Sequence, residues 1–280
     1  IHGLGVGLHG TLLAGASAVL LPRFDVDEVL DAVRDHRATL FFGVPTMYTR
    51  LAGSPRAGEL AALRLLVSGS AALPPTVFER LAERAGQRVL ERYGMTETIM
   101  NVSNPHDGDR RPGTVGLPLP GVELRLADGD GEVLLRGPNV FGGYWRNAQA
   151  TAEAFDDDGW FRTGDLGSLD ERGYLRIEGR SKELIITGGY NVHPREVEEL
   201  LLEHPRVAEV AVVGTPSEEW GEVVTAFVVP ADHADPPDPQ ELLAFAGGRL
   251  AAFKRPRLVR YLEALPRNAL GKVLKHELRG

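Results

Sequence analysis

The sequence predicts an α/β plus β region in a large lobe that is incomplete at its N-terminus, followed by a small α+β C-terminal lobe. Three observations carry that prediction. Strand, small-residue turn, helix and strand follow one another in "LRLLVSGSAAL", "PPTVFERLAERAG" and "RVLERYG", the order of a parallel sheet with crossover helices. Over residues 113–179 the chain changes to short apolar runs split by Gly, Pro and Asp, as in "GVELRLADGDGEVLLRGPNV", which reads as antiparallel β structure. Beyond "GRSKELIITGGYNVHP" helices and strands resume on a smaller scale. The opening, "IHGLGVGLHGTLLAGASAVLLPRFD", has no methionine and runs at once into glycine-spaced apolar sequence, so it reads as the interior of a domain.

In chain order, "DVDEVLDAVRDHRA" carries apolar residues at helical spacing behind an aspartate cap, and "TLFFGVP" is a short buried strand ended by proline. The second strand runs into the turn "SGSAAL", where ligands gather at the carboxyl ends of parallel strands. After the β region come a helix over 194–203, the strands "VAEVAVVGTP" and "VVTAFVVP", a helix over 241–250 and the strand "RLVRYLEALP". The division between lobes is expected at 180–182, giving 1–180 and 181–280, the second within the usual domain range. "PADHADPPDPQ" lies between a strand and a helix and reads as a surface loop.

Composition narrows the chemistry. With 280 residues, 43% of them hydrophobic, the chain can build a substantial core. A formal net charge of −8 argues against broad nucleic-acid binding, so phosphate recognition is expected to be local. The absence of cysteine removes disulfides, thiolate metal sites and a cysteine nucleophile, and any thiol must come with a substrate. No apolar run approaches the roughly 20 residues that span a bilayer, and no signal-peptide pattern opens the chain, so a cytoplasmic location is the expectation.

Several segments could carry chemistry, and each has a plain structural reading beside the functional one. Ser68, Gly69, Ser70 and Ala71 follow an apolar strand, where small residues let the backbone approach a flat ligand. In "RYGMTETIMN" Tyr93 offers a ring, Thr96 a hydroxyl and Glu97 a hard carboxylate suited to magnesium and phosphate, or the segment is a polar loop. Asp165 in "GWFRTGDLG" could accept two hydrogen bonds from ribose hydroxyls, or simply sit in a turn. Gly188 and Gly189 make a surface without side chains, or a hairpin turn. Lys272, in the closing "PRNALGKVLKHELRG", is by itself compatible with a solvated tail. The histidines form no convincing metal set, and His193, just before Pro194, reads as a helix cap or boundary residue.

Taken together, "YGMTET", "GWFRTGDLG", "GRSKELIITGGYNVHPREVE" and "PRNALGKVLK", in that order over nearly the whole chain, resemble the adenylate-forming superfamily of acyl-CoA synthetases, luciferases and adenylation domains. The resemblance implies that a carboxylate attacks the α-phosphorus of ATP to give an acyl-adenylate and pyrophosphate, and that the thiol of CoA then displaces AMP. It implies that Thr96 contacts phosphate, Glu97 holds Mg2+, and Asp165 and Arg180 bind the ribose. Tyr93 and Gly94 would border the adenine, with Gly69, Ser70 and Ala71 forming part of its pocket. Lys272 matches the adenylation lysine, Lys182 the hinge about which the small lobe rotates between half-reactions, and Gly188, Gly189 and Tyr190 the pantetheine tunnel.

Within that family "ERYGMTETIMNVSNPHDGDRRPGTVGLPLPGVELRL" is most similar to the malonyl-CoA synthetase branch, which implies a dicarboxylic acid such as malonate or methylmalonate. A second buried anion needs a cation. Arg50 and His2 are the candidates, Arg50 preferred for its bidentate geometry, and Met100 could limit acyl length. Arg50 reads equally as a solvated helix arginine, His2 as a packing residue and Met100 as a core methionine. The family's Gly/Ser/Thr-rich phosphate loop is not found in these residues and is expected in a preceding segment or chain. An acyl-CoA synthetase for another acid, a carrier-loading adenylation module and an inactive nucleotide-binding fragment stay open as alternatives, though no carrier "GxDS" segment follows Lys272.

Overall fold

The computed structural model describes residues 2–268 and 272–279, with the side chains of His2 and Val6 outside the description. The chain separates into two compact units, Ile1–Thr163 with Gly167–Ile177, and Gly164–Leu166 with Glu178–Gly280. Residues 164–166 and 178–180, which the sequence grouped with the large lobe, thus belong to the second unit.

In the first unit a π-helical segment, His2–His9, leads into α1 (Gly10–Leu13). Helix α2 (Val26–Asp35) begins where the Asp25 carboxylate accepts the amides of Asp27 and Glu28, and it buries Val29, Leu30 and Val33. Strand β1 (Leu40–Gly43) leads to α3 (Pro45–Gly53), which opens on Pro45 at its first turn, buries Tyr48 and Leu51 and carries Arg50. Next come β2 (Leu65–Ser68), α4 (Pro75–Ala85), ended by Gly86 in the left-handed region at φ 64°, and β3 (Leu90–Tyr93). Leu30, Tyr48, Leu51, Phe78 and Leu81 share one core. The Tyr48 hydroxyl, fully buried, donates to the Val67 carbonyl at 2.8 Å, so its polar end is satisfied inside that core.

Strands β1, β2 and β3 are parallel, as expected. The sheet then continues with β4 (Val102–Ser103) and β5 (Leu117–Pro118), both antiparallel to their neighbours. The direction changes because β3 reaches β4 through a short loop, too short for the helical crossover a parallel neighbour demands. A second sheet orders β6 (Glu123–Leu126), β7 (Glu132–Arg136), β8 (Phe161–Leu169) and β9 (Leu175–Arg180), and α5 (Ala148–Glu153) lies between β7 and β8 in the chain.

The second unit contains the hairpin β10 (Ile185–Thr187) and β11 (Tyr190–Val192), then α6 (Pro194–Leu201). The long antiparallel pair β12 (Val207–Ser217) and β13 (Gly221–Pro230) forms its centre. Helix α7 (Pro239–Gly247) and strand β14 (Leu258–Tyr261), parallel to β13, complete it. Helix α7 starts before the expected 241 because Asp238 caps the Gln240 amide at 2.7 Å and Pro239 sets the first turn. One face of the sheet packs Val212, Val224 and Val228 against Val197 and Leu201 of α6 and Leu242 of α7. Among the described residues no helix is long and apolar enough to cross a membrane.

Candidate functional site

Ser68 ends β2 and Tyr93 ends β3, and the two parallel strands are in register with Ser68 opposite Glu91. The turn predicted to meet a flat ligand and the predicted bordering ring therefore emerge from the carboxyl ends of neighbouring strands. Gly69 is buried, whereas Ser70, in the left-handed region at φ 73°, and Ala71 are exposed. Glu91, almost fully buried, accepts the Leu73 amide at 2.9 Å and so closes this turn from below. Tyr93 is half-buried against the apolar cluster around Val102 and Val115.

The loop after β3 folds back on itself. The Asn101 amide donates to the Tyr93 carbonyl at 3.0 Å, and Ile99 adopts φ 59°. A Cβ on Gly94 would stand 2.1 Å from the Ile99 carbonyl oxygen. Gly94, expected to line an adenine pocket, is thus required by the backbone of its own loop. Thr96 at the tip is exposed and Glu97 is half-buried.

A second segment straps this loop, and sequence reasoning missed it. The Asn139 side-chain amide donates to the Thr98 carbonyl at 2.9 Å and to Asn101 Oδ1 at 3.0 Å. The Phe141 amide donates to the Glu97 carbonyl at 2.8 Å, and the Tyr144 hydroxyl donates to the Glu97 carboxylate at 3.1 Å. Burial and then the Glu97 carboxylate hold the Tyr144 hydroxyl above the ordinary tyrosine range, so it stays a donor. Tyr144 and Glu97 stand 47 residues apart in the chain, and "PNVFGGYW" carries no local sign of that partner. Gly142, Gly143, Tyr144, Trp145 and Thr151 line an open cavity of about 560 Å³.

In the second unit, Asp165 is 4% exposed and its carboxylate meets Arg180 Nε at 3.1 Å, while half of the guanidinium side chain faces solvent. The two residues predicted to share one ligand are brought together. Lys182 lies in the 3-10 turn Ser181–Glu183, with its side chain exposed and its carbonyl accepting from Arg279 at 3.2 Å. Gly188 (φ 55°) and Gly189 (φ 80°) form the two-residue turn between β10 and β11, whose left-handed geometry explains the pair. A Cβ on Gly188 would also come within 2.7 Å of the Trp220 ring, whereas one on Gly189 would meet nothing within 4 Å. Tyr190 is 56% exposed and stacks on Phe253 with centroids 4.7 Å apart. His193 marks the boundary of α6 but its side chain makes no cap bond.

Lys272 is tied back to Asn268 by two hydrogen bonds. Its amide donates to Asn268 Oδ1 at 2.9 Å and its carbonyl accepts the Asn268 amide at 3.0 Å. Arg267 and Val273 bridge antiparallel behind it, leaving the lysine side chain exposed. Arg50 is exposed near the end of α3 with its guanidinium 5.0 Å from the Phe24 ring centre, and Met100 is half-buried. The His2 side chain lies outside the described residues. No three His, Cys, Asp or Glu side chains converge on a common point among the described residues, so Glu97 belongs to no three-ligand cluster there. Such a donor suits a cation shared with phosphate oxygens and does not make a protein cage.

Comparison with known proteins gives these features a setting. Residues 1–145 match the AMP-binding enzyme family and residues 196–272 the C-terminal domain of AMP-binding enzymes. The chain is 41% identical to a malonate–CoA ligase of Arabidopsis thaliana, over 100% of this chain and 52% of that protein. It is 42% identical to an indoleacetate–CoA ligase of Aromatoleum aromaticum, over 100% of this chain and 57% of that one. The crystal structure of ATP-bound MatB from Rhodopseudomonas palustris is 49% identical, with a TM-score of 0.94, covering 99% of this chain and 57% of that one. The chain spans about half the length of the curated relatives it matches.

Proposed function

We propose, from the premise that this chain belongs to the AMP-binding enzyme family, that it supplies the carboxyl-terminal half of an ATP-dependent acid–CoA ligase. The observation that carries this reading is the exposed side chain of Lys272 on a backbone tied to Asn268 by two hydrogen bonds. In the first half-reaction the acid's carboxylate oxygen bonds to the α-phosphorus of ATP and pyrophosphate leaves. The Lys272 ammonium offsets the negative charge that gathers as the two anions meet. Asp165 accepts from the ribose hydroxyls, with Arg180 beside it, and Tyr93, Gly94 and the 69–71 turn border the adenine. Thr96 and Glu97 face the phosphates. When bound, Mg2+ supplies charge neutralisation at the phosphates, with Glu97 as its protein ligand and Tyr144 holding that carboxylate. In the second half-reaction the CoA sulfur bonds to the acyl carbon and AMP leaves, with Gly188, Gly189 and Tyr190 along the pantetheine path and Lys182 as the hinge.

Malonate or methylmalonate is the proposed acid, supported by the likeness to the malonate–CoA ligase of Arabidopsis thaliana and to MatB, with Arg50 of α3 assigned to its second carboxylate. The indoleacetate–CoA ligase is equally similar, so the acid is the part of the reading under test. CoA-dependent AMP release by the full-length protein, compared for malonate, methylmalonate, acetate, indoleacetate and octanoate, decides it. Highest turnover with a dicarboxylate, lost selectively in Arg50→Ala, is expected. A preference for indoleacetate or octanoate would overturn the dicarboxylate assignment, and AMP release with none of the acids would overturn the ligase reading.

Tyr144→Phe removes the hydroxyl that holds Glu97. A hydrogen bond to a charged group contributes about 1.5–3 kcal/mol, at the low end for a partly exposed pair. The Mg2+ concentration for half-maximal activity is therefore expected to rise about tenfold with the fold unchanged by circular dichroism; an unchanged magnesium dependence would show that Tyr144 does not orient the carboxylate.

A further inference from the structure

Three residues after Lys272 the chain places a second lysine with a different fate. Lys275 is 18% exposed, and its ammonium lies 2.7 Å from Glu198 on α6 and 3.4 Å from Glu183 in the 3-10 turn Ser181–Glu183. Glu198 is fixed in turn, because its carboxylate accepts the Val212 amide of β12 at 2.7 Å. Burial acts to lower the Lys275 pKa, but Glu198 and then Glu183 outweigh it and hold the group above the ordinary lysine value. The ammonium is therefore charged at neutral pH and serves neither as a base nor as a nucleophile.

The flanking residues belong to the same anchor. Val273 and Leu278 pack in the apolar cluster of Ala211, Val213, Phe227 and Val229 on one face of β12 and β13. Arg279 donates to the Lys182 carbonyl at 3.2 Å. The tail that carries Lys272 is thus tied at Lys275 and Arg279 to the Ser181–Glu183 turn and at Val273 and Leu278 to the sheet.

We propose that Lys275 is a positioning residue, an ionic peg that joins the Lys272 loop to the 181–183 turn so that loop and turn keep one register. The inference rests on the ligase reading, since it is the adenylation step that needs Lys272 in place. Two carboxylates converge on one ammonium, and neutralising that ammonium leaves them facing each other in a partly desolvated site. The loop end nearest the peg then loses its fixed geometry. A displacement of about 1 Å at a reacting group costs up to about 100-fold in rate.

The test uses the full-length protein with Lys275→Met, Lys275→Arg and Glu183→Gln, and malonate and octanoate as acids. Adenylation is read as acid-dependent ATP–pyrophosphate exchange, and thioester formation is read from the synthetic adenylate of the same acid with CoA. Lys275→Met is expected to lose about 10- to 100-fold in exchange, with thioester formation within about threefold of wild type and Lys275→Arg restoring exchange. A structural role alone would lower both half-reactions together, so a parallel fall in a folded variant, or unchanged exchange, overturns the proposal. Should Lys275→Met fail to fold, Glu183→Gln removes one arm of the peg and is expected to lower exchange alone, and an unchanged rate there is equally decisive against it. Wild-type protein that supports neither half-reaction with either acid would instead remove the ligase reading, and this inference with it.

Discussion

Lys272→Ala in the full-length protein is expected to form the acyl-adenylate at least about 10²–10³-fold more slowly than wild type, the usual consequence of removing one preorganised donor from a developing charge. The same variant is expected to convert a supplied acyl-adenylate and CoA to the thioester at close to the wild-type rate, because that step breaks the bond to AMP and needs no cation between carboxylate and phosphate. The loop itself should survive the substitution: the contacts that build it use the Lys272 backbone and Asn268, not the lysine side chain. Pyrophosphate exchange and single-turnover thioester formation, measured side by side, separate the two steps. Equal losses in both would assign Lys272 to general folding or to nucleotide affinity and withdraw it from adenylation.

Gly94→Ala is the second large effect expected. The added Cβ would stand 2.1 Å from the Ile99 carbonyl oxygen and 3.0 Å from the Met100 Cα. Both are backbone atoms, which cannot rotate away as a side-chain tip can. The loop must open, carrying Thr96 and Glu97 with it and straining the bonds from Asn139 and Phe141 that strap it down. A stability loss of about 1–3 kcal/mol fits an overpacked site, together with a loss of about 100-fold in adenylation if Thr96 and Glu97 face the phosphates as proposed. Gly53→Ala is the contrast, since its Cβ would meet nothing within 4 Å, and it should leave both quantities near wild type. A thermal midpoint and exchange rate unchanged in Gly94→Ala would mean that the loop closes less tightly than its geometry requires.

These expectations divide between what local sequence could announce and what it could not. The amino-acid order alone determined the parallel start of the first sheet, the Asp25-capped helix, the β-rich middle and the smaller α+β unit, because apolar periodicity, caps and turn residues act over a few neighbours. It also marked Asp165 from its turn, whereas Arg180 and Lys272 stood out only through the order of four family-like motifs along the chain. Tertiary structure alone decided how those residues are held. Glu97 meets Tyr144 from 47 positions away, Asn139 reaches back to Thr98, and Lys275 finds Glu183 and Glu198. No period or cap encodes such pairings. They arise when packing brings distant segments within the roughly 3 Å at which a hydrogen bond forms, so the sequence names the candidate groups while the fold selects the partners that hold them.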